Sequence, residues 1–353
     1  MRRAIIASCL IGATLVFPLS ATATTNPCSS PKTATACLAS LPSATDVTRF
    51  ITAAHATKAL PTTSPTLSYL ASATTGARSY FMPSGRCNQV AQMSNTSPPS
   101  IKDCTFGNAK ATSAHTIFLT GDSRAVMWVT ALAALATEIN WRLVVMAKPG
   151  CVAQTGQITE LNEPSRSGPW IACDTFRTAV ASDLASLKPG LVIVSSNPVA
   201  SLADGRQTGK NPTLAHDITL SYLQNLKTKS TASAYVSLNG FPLLVSVVPG
   251  ITNPVQCLST HKSDIRACDI KSNNAVGDDP VDAAVSQAAL EAGYTNINQK
   301  SWLCDTTCPS VINKMIPYDR DGMHINNTYA TSLMGVMWRA LAAVPNSGIP
   351  LGS

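Results

Sequence analysis

The sequence predicts a three-layer α/β/α sandwich with a mostly parallel central sheet. From Thr116 onward, short apolar runs typical of buried strands alternate with longer amphipathic stretches typical of helices. A chain of 353 residues is also long enough to bury one sizeable α/β core. Because strand and helix alternate along the chain, the strands are expected to run parallel, with helices on both faces of the sheet.

The predicted elements follow in chain order. Apolar runs predict four strands, at 116–120, 142–147, 191–196 and 242–248. Pro242 begins the fourth of these, where a missing N–H is tolerated. Helical spacing of apolar residues predicts five helices, at 123–139, 173–187, 213–229, 281–292 and 328–344. Between Pro249 and Asp282 lies a polar segment too long for a simple turn. We expect it to overhang the edge of the sheet that carries the serine described below.

Residues 24–110 are predicted to be a partly ordered lead-in and spacer, followed by the α/β domain at 111–353. The lead-in is rich in Thr, Ser, Ala and Pro, and one helix is predicted from Asp46 to Leu60, with Val47 and Ile51 on its apolar face. Its Thr/Pro-rich stretch suits either a glycosylated, extended segment or a plain surface loop.

Residues 1–23 have the pattern of a secretory signal peptide. Arg2 and Arg3 precede an apolar stretch from Ala4 to Leu19, and Ala21-Thr22-Ala23 is a small-x-small cleavage site. No other segment approaches the ~18 apolar residues that a spanning helix needs. We therefore expect a secreted protein of the cell envelope, or a membrane-anchored one if the segment is retained.

Cysteine usage agrees with export. Of the 11 cysteines, Cys9 lies in the signal segment, and the remaining ten are an even number, as expected where disulfides persist. Sequence does not fix their connectivity, but short spacings suggest five pairs: Cys28 with Cys37, Cys87 with Cys104, Cys151 with Cys173, Cys257 with Cys268, and Cys304 with Cys308. No metal site is expected at the last pair, because no second pair or histidine follows at suitable spacing.

Charge argues against nucleic acid as a partner. Only 13% of residues are charged, and the net charge of +7 falls to +5 without Arg2 and Arg3. This net charge is only mildly positive, and the basic residues do not form a cluster along the sequence. Weak attraction to anionic wall polymers or lipid head groups is compatible with it.

A serine is predicted to stand at the carboxyl edge of the sheet. The strand at 116–120 ends in Gly121-Asp122-Ser123, and helical spacing begins directly afterwards. Backbone N–H groups at a helix start favour developing negative charge, which suits a nucleophilic serine. The alternative is that Asp122 or Ser123 only caps the helix.

A histidine near the C-terminus supplies the base that such a serine needs. Asp321-x-x-His324 precedes the last predicted helix, so Asp321 is placed to orient the imidazole. The alternatives are that His324 caps the last helix on a solvated loop, or that Asp319 competes for its ring. The remaining histidines lack such a frame: His55, His115, His216 and His261.

These blocks, in this order, resemble the SGNH (GDSL-like) hydrolase superfamily, which has an SGNH/flavodoxin-like fold. More narrowly, the chain is similar to the extracytoplasmic SGNH domains that bacteria append to membrane O-acyltransferases. The resemblance covers nearly the whole mature chain and is carried by Gly121-Asp122-Ser123, the segment 141–151, Ser195-Ser196-Asn197, Trp302-Leu303-Cys304 with Cys308-Pro309, and Asp321-x-x-His324.

The resemblance implies that Ser123 is the nucleophile, His324 the general base and acid, and Asp321 its orienting partner. It implies an oxyanion hole from the Ser123 N–H, Gly150 and Asn197. Each of the last two follows a short apolar strand, and parallel strands end on one edge. The alternative is that Gly150 only serves the turn that Pro149 starts, and that Asn197 is an ordinary loop residue before Pro198.

Arg124 departs from the family pattern, in which many members carry histidine after the serine. A cation there suits binding of an anionic substrate or the surroundings of the oxyanion, whereas an exposed first-turn arginine is the plainer expectation.

The sequence thus predicts a secreted serine enzyme that acts on O-acyl esters, most simply by transferring an acetyl group to cell-envelope glycans. A membrane acyltransferase is the expected donor, and a monomer without cofactor or metal is expected. One alternative is a carbohydrate O-acetylesterase or lipase-like hydrolase, which shares the triad. Another is a non-catalytic glycan-binding or scaffold module, which has no physical need for Ser123, Asp321 and His324 together.

Overall fold

A computed structural model describes Cys28, Cys87 and residues 34–60, 97–159, 168–242, 254–271, 280–319 and 321–351. Its strands are β1 Thr105–Gly107, β2 Thr116–Gly121, β3 Arg142–Ala147, β4 Leu191–Ser195, β5 Ala234–Asn239, β6 Ile270–Lys271, β7 Thr295–Asn298 and β8 Thr307–Cys308. Its helices are α1 Ala34–Ser40, α2 Ala44–Ala56, α3 Ser123–Val126, α4 Val129–Glu138, α5 Ile171–Leu187, α6 Pro212–Lys229, α7 Pro254–Thr260, α8 Pro280–Glu291, α9 Asn327–Ser332 and α10 Met334–Ala342.

The central sheet has six strands in the order β1-β3-β2-β4-β5-β7. Only β1 runs antiparallel to its neighbour. Gly121, at the end of β2, lies opposite Ala147 of β3 and Ser195 of β4. The loops that follow these three strands therefore leave the same edge side by side.

Both faces of the sheet are covered by helices, so the predicted three-layer fold is confirmed. Along β2, Ile117 and Leu119 belong to one apolar cluster and Phe118 to another, because successive side chains of a strand point to opposite faces. The first cluster includes side chains of α4, α9 and α10, and the second includes side chains of α5, α6 and α8.

The prediction missed one parallel strand of the sheet, β5. It runs from Ala234 to Asn239, ahead of Pro242, which lies outside any strand, and residues 243–248 lie outside the described part. All six residues of β5 are buried, including Ser237 and Asn239. Polar residues within β5 made it less apolar than the run after Pro242, although the sheet buries it completely.

Two predicted helices are each broken into two. The stretch 123–139 forms α3 and α4, with Met127 and Trp128 between them, and 328–344 forms α9 and α10 around Leu333. At the first break the Trp128 Nε1–H donates to Gln299 Oε1 at 2.7 Å, and its ring packs edge-on against Trp302. This buried contact lies at the break between α3 and α4.

The described part of the lead-in is folded onto the domain and is not a spacer. Leu38 of α1 and Val47 and Ile51 of α2 lie in the first apolar cluster, and β1 pairs with β3. Arg339 of α10 donates to the carbonyl oxygens of Ala39, Leu41 and Pro42. A capping box between Ser43 and Asp46 begins α2 two residues earlier than predicted. The apolar face of the lead-in thus completes the core.

The described residues form five disulfides, and these join the pairs that the short spacings suggest: Cys28–Cys37, Cys87–Cys104, Cys151–Cys173, Cys257–Cys268 and Cys304–Cys308. Within the described ranges, no helix has both the length and the apolar character to span a membrane. The predicted signal peptide at 1–23 lies outside the described residues.

Candidate active site

Ser123 stands directly beyond the buried central strand. Gly121 ends β2 with φ +141°, and a Cβ at this position would overlap the carbonyl oxygen of Ser195 on β4. Only glycine lets the chain pass this close to the neighbouring strand. Asp122 then caps α3 through its Oδ1, which accepts from the Arg124 N–H at 2.8 Å. Because Asp122 does the capping, the Ser123 hydroxyl is left for another partner.

A tight loop presents His324 to that hydroxyl. Tyr318 and Ile325 form an antiparallel bridge, and the Asp319 N–H donates to the His324 carbonyl at 2.8 Å. At the loop tip, Asp321 Oδ1 accepts from the N–H groups of Met323 at 2.9 Å and His324 at 3.2 Å. The carboxylate is thereby fixed three residues before the ring that it meets.

Ser123, His324 and Asp321 form one hydrogen-bonded chain. Asp321 Oδ2 lies 2.7 Å from His324 Nδ1, and the Ser123 Oγ lies 2.7 Å from His324 Nε2. A proton on Nδ1 donates to the carboxylate, which leaves Nε2 to accept the serine proton. His324 is 7% exposed, and α9 is capped by Asn326 rather than by His324. The ring contact is made by Asp321, whereas Asp319 meets His324 through its backbone N–H.

Electrostatics keep the Asp321 carboxyl ionised. Burial alone raises its pKa, but the hydrogen bond from His324, the imidazole charge and the backbone N–H of Met323 together bring the pKa below its usual value. A carboxylate in this state holds the Nδ1 proton in place and stabilises the imidazolium that forms when Nε2 takes a proton.

Gly150 and Asn197 lie on the loops at either side of β2. Gly150 follows β3 with φ +77°, and Asn197 follows β4. Asn197 donates its backbone N–H to Asp122 Oδ2 at 2.9 Å and accepts the Val199 N–H on Oδ1 at 3.1 Å. With Oδ1 engaged in this way, the amide Nδ2 is the donor that Asn197 has left to offer.

Asp122 is a site residue whose importance the sequence did not indicate. It is 1% exposed, and its carboxylate accepts from Arg124 N–H, Asn197 N–H and the Ser196 hydroxyl, the last at 3.3 Å. Burial raises the pKa of this carboxyl, while the two backbone donors and the nearby charges of Arg124 and His324 lower it in part. Its position in Gly-Asp-Ser was the available signal, but the same residue type is an ordinary helix cap.

Arg124 is buried, contrary to the expectation of an exposed first-turn arginine. It is 4% exposed, and its guanidinium lies 4.4 Å from the centroid of the Phe241 ring. Phe241, which follows β5, covers the side chain. Burial lowers its pKa to about 10, although Asp122, Asp282 and Asp321 attract the charge. Direct surface contact with a large substrate is therefore closed to it in this conformation.

The segment after β3 is fixed by α5. A disulfide joins Cys151 to Cys173. Arg177 donates from Nε and Nη2 to the Val152 carbonyl at 3.2 and 2.9 Å, and from Nη1 to the Gly156 carbonyl at 2.6 Å. These contacts hold the chain immediately beyond Gly150.

One cluster of possible metal ligands occurs in the described part of the chain. Ligand atoms of Cys257, His261 and Cys268 lie within 4.8 Å of one another. A disulfide joins the two cysteines, so neither offers the thiolate that a metal requires.

The fold is a mostly parallel α/β/α sandwich, and at the carboxyl edge of its central strand a serine meets a buried histidine and its carboxylate. This combination is that of the SGNH fold class. The chain belongs to the family described as the SGNH domain fused to AT3 domains, which matches residues 86–339. At the level of the family, this membership supports acyl-transfer or esterase chemistry.

A solved structure agrees with this fold. The periplasmic domain of lipopolysaccharide acetyltransferase from Salmonella ser. Paratyphi A is similar, with a TM-score of 0.51 and 15% sequence identity. The match covers 68% of this chain and 86% of that one. At this identity the likeness establishes the shared fold alone. No curated protein sequence matches the chain.

Proposed function

We propose that the protein is an exported serine enzyme that transfers a small acyl group, in the first instance acetyl, to a cell-envelope glycan. The observation that carries this proposal is the hydrogen-bonded chain of Ser123, His324 and Asp321. Ser123 meets the Asp321–His324 pair from a distant part of the sequence, and the three side chains have the polarity that nucleophilic catalysis requires.

In the first half of the reaction, Ser123 Oγ attacks the carbonyl carbon of the acyl ester. Its proton passes to His324 Nε2 as the Oγ–C bond forms. The Ser123 N–H, the Gly150 N–H and Asn197 Nδ2 are proposed to stabilise the oxyanion. The C–O bond to the leaving alcohol then breaks, and His324 returns the proton to that alcohol, which leaves an acyl-enzyme.

In the second half, the hydroxyl of the acceptor gives its proton to His324 Nε2 and attacks the acyl-enzyme. Collapse of the second tetrahedral intermediate returns the proton to Ser123 and releases the new ester. If water is the acceptor, the same steps amount to hydrolysis. The outcome therefore depends on which hydroxyl reaches the acyl-enzyme first.

Transfer is favoured here by the family's fusion to AT3 domains and by the similar fold of a lipopolysaccharide acetyltransferase domain. A membrane acyltransferase is accordingly proposed as the acyl donor. The five disulfides and the sequence pattern of residues 1–23 support placement outside the cytoplasm.

Labelling with a fluorophosphonate, together with hydrolysis of an aryl acetate, tests the enzyme proposal. The intact protein is expected to label at Ser123, S123A to lose labelling completely, and H324N to label at least about 10³-fold more slowly. The matched control is S186A, which removes an exposed hydroxyl at the end of α5 and is expected to label at the wild-type rate. Wild-type protein that neither labels nor hydrolyses the acetate refutes the proposal in favour of a binding module.

Transfer and hydrolysis are separated by adding a glycan acceptor to the acylated enzyme. Acyl-glycan detected by mass spectrometry, in an amount that depends on Ser123, supports transfer. If the acyl group appears only as free acid at saturating acceptor, with the membrane donor present, the protein is an esterase.

A further inference from the structure

The three loops that carry the proposed oxyanion donors converge on one buried carboxylate. Asp122 Oδ1 accepts from the Arg124 N–H, on the turn that carries Ser123. Its Oδ2 accepts from the Asn197 N–H at 2.9 Å and from the Ser196 hydroxyl at 3.3 Å, on the loop after β4. The serine turn and the Asn197 loop are thus linked directly through one side chain.

The loop after β3 is joined to the same carboxylate through one hydroxyl. The Ala153 N–H donates to Ser196 Oγ at 2.8 Å, and this hydroxyl in turn donates to Asp122. Ala153 lies three residues beyond Gly150, in the segment that the Cys151–Cys173 disulfide also fixes. Movement of the Gly150 loop is therefore coupled to Asp122 through Ser196.

These contacts also orient the donor groups. Because the backbone N–H of Asn197 is held by Asp122 and its Oδ1 by the Val199 N–H, rotation of the amide is restricted at both ends. Several N–H and O–H groups point at the Asp122 oxygens, so the site suits a carboxylate and not an amide. An asparagine here would turn an NH₂ group towards at least one of these donors.

We propose that Asp122 is a positioning residue that assembles the oxyanion hole by holding the Ser123, Gly150 and Asn197 loops in one arrangement. The inference rests on the proposed serine chemistry, and Asp122 acts through its neighbours without touching the acyl group. Its ionised form is required, because a protonated carboxyl would point its own hydrogen at one of the donors.

The test compares fluorophosphonate labelling rates of D122N, N197A and the double variant. Loss of one oxyanion donor typically slows catalysis by about 10²–10³-fold, so each single variant is expected to label about 10²-fold more slowly. If Asp122 acts by positioning Asn197, the double variant is expected to lose at most about threefold beyond the slower single variant. Losses that multiply, or a D122N rate equal to wild type, overturn the inference.

If D122N does not fold, S196A still tests the positioning role of Asp122. It leaves the carboxylate in place and removes the link to Ala153, and we expect about 10-fold slower labelling, since only one donor loop is released. An unchanged rate in S196A overturns the part of the inference that concerns the Gly150 loop.

D269N is the matched control. Asp269 is partly buried and also accepts from a backbone N–H and a hydroxyl, both of Ser310, at 2.9 and 3.1 Å. Its loss is expected to lower the melting temperature and to leave the labelling rate within about twofold of wild type, because among the described residues Asp269 forms no hydrogen bond to the three loops. Equal slowing by D269N would show that lost stability, not lost positioning, explains D122N.

Amide hydrogen exchange separates this inference from the proposed function. In D122N, exchange at the Asn197 and Ala153 amides is expected to accelerate by at least about 10-fold, whether or not the enzyme turns over. Unchanged exchange refutes the positioning role, whereas wild-type protein that fails to label refutes the serine chemistry.

Discussion

Two arginines with little solvent exposure lie close to the proposed catalytic edge, and they differ in what they contact. Arg177 of α5 has an 11% exposed side chain and donates three hydrogen bonds to the carbonyl oxygens of Val152 and Gly156. Arg124 of α3 is covered by Phe241, and within the described part of the chain its Nη1 has no hydrogen-bond partner. Both side chains are nearly removed from solvent, but only Arg177 is bonded to the backbone.

The difference separates two uses of a buried cation. A guanidinium that satisfies backbone carbonyls fixes a loop, and its removal leaves acceptors unpaired. A guanidinium without such bonds contributes mainly through its field, here among Asp122, Asp282 and Asp321. We therefore expect Arg177 to matter for stability and Arg124 to matter for rate.

The largest effect on stability is expected from the covalent link beside Arg177. Replacing Cys151 and Cys173 together by alanine frees a loop with a sequence separation of 22 residues, and we expect a loss of about 3 kcal/mol in the free energy of unfolding, measured in urea. Labelling of Ser123 is expected to slow as well, since Gly150 adjoins the released segment.

The double variant C304A/C308A serves as the control for that prediction, because it opens a loop with a sequence separation of only 4 residues. The chain-entropy argument gives it the smaller loss. Equal losses for the two bridges would show that the Cys151–Cys173 link does not act by constraining its loop.

R177M is the second prediction, with an expected loss of about 2 kcal/mol. Methionine keeps much of the aliphatic volume and removes all three hydrogen bonds, so the carbonyls of Val152 and Gly156 lose their partner. R177K restores the charge and part of the bonding, and it is expected to fall between wild type and R177M in urea unfolding. An R177M protein as stable as wild type would contradict the stabilising role of the three hydrogen bonds from Arg177.

The sequence predicted which three side chains meet in the hydrogen-bonded chain better than it predicted their surroundings. Ser123 and the Asp321–His324 pair lie in short local patterns whose spacing already carries the geometry. The burial of Arg124 depends on Phe241, which is distant in sequence and follows β5, a strand that the prediction missed. A contact made only through sheet topology leaves no local pattern to read.

The same reason explains why strand β7 and the lead-in helix α1 were missed. Strand β7 is the polar stretch Thr295–Asn298, which is only partly buried and shows no apolar run. The lead-in has a composition typical of a spacer, yet Leu38, Val47 and Ile51 enter the same apolar cluster as side chains of α10. Composition predicted the average environment of this segment but not its docking.

The third prediction uses an exposed ion pair as the contrast to both buried arginines. His216 of α6 contacts Asp217 at 2.9 Å and Glu291 of α8 at 3.1 Å, and the hydrogen bond that its ring donates to Asp217, partly opposed by desolvation, raises the pKa of His216 above its usual value. A raised pKa in the folded state means that the stabilisation is complete below pH ~6.5 and is lost as pH rises through the folded pKa.

Accordingly, H216Q is expected to be less stable than wild type by about 0.5 kcal/mol at pH 5.5 and equal to it at pH 8.5. The measurement is urea unfolding at the two values of pH, with E291Q as the control that removes part of the same pH dependence. A difference that grows with pH would contradict the assigned direction of the pKa shift.

A small change in stability is also expected for R124M, in spite of the burial of this arginine. The cost of desolvating a guanidinium offsets its attraction to the three carboxylates, and no hydrogen bond of Arg124's side chain is lost among the described residues, so unfolding should change by less than about 1 kcal/mol. Methionine also packs well against Phe241.

The labelling rate of R124M should nevertheless fall about 10-fold, because a cation beside Asp122 and Asp321 offsets their repulsion of the oxyanion at Ser123. R124K should recover most of that rate if charge is what matters. If R124M instead unfolds as readily as R177M while labelling at the wild-type rate, Arg124 is a clamp like Arg177 and the contrast between the two arginines fails.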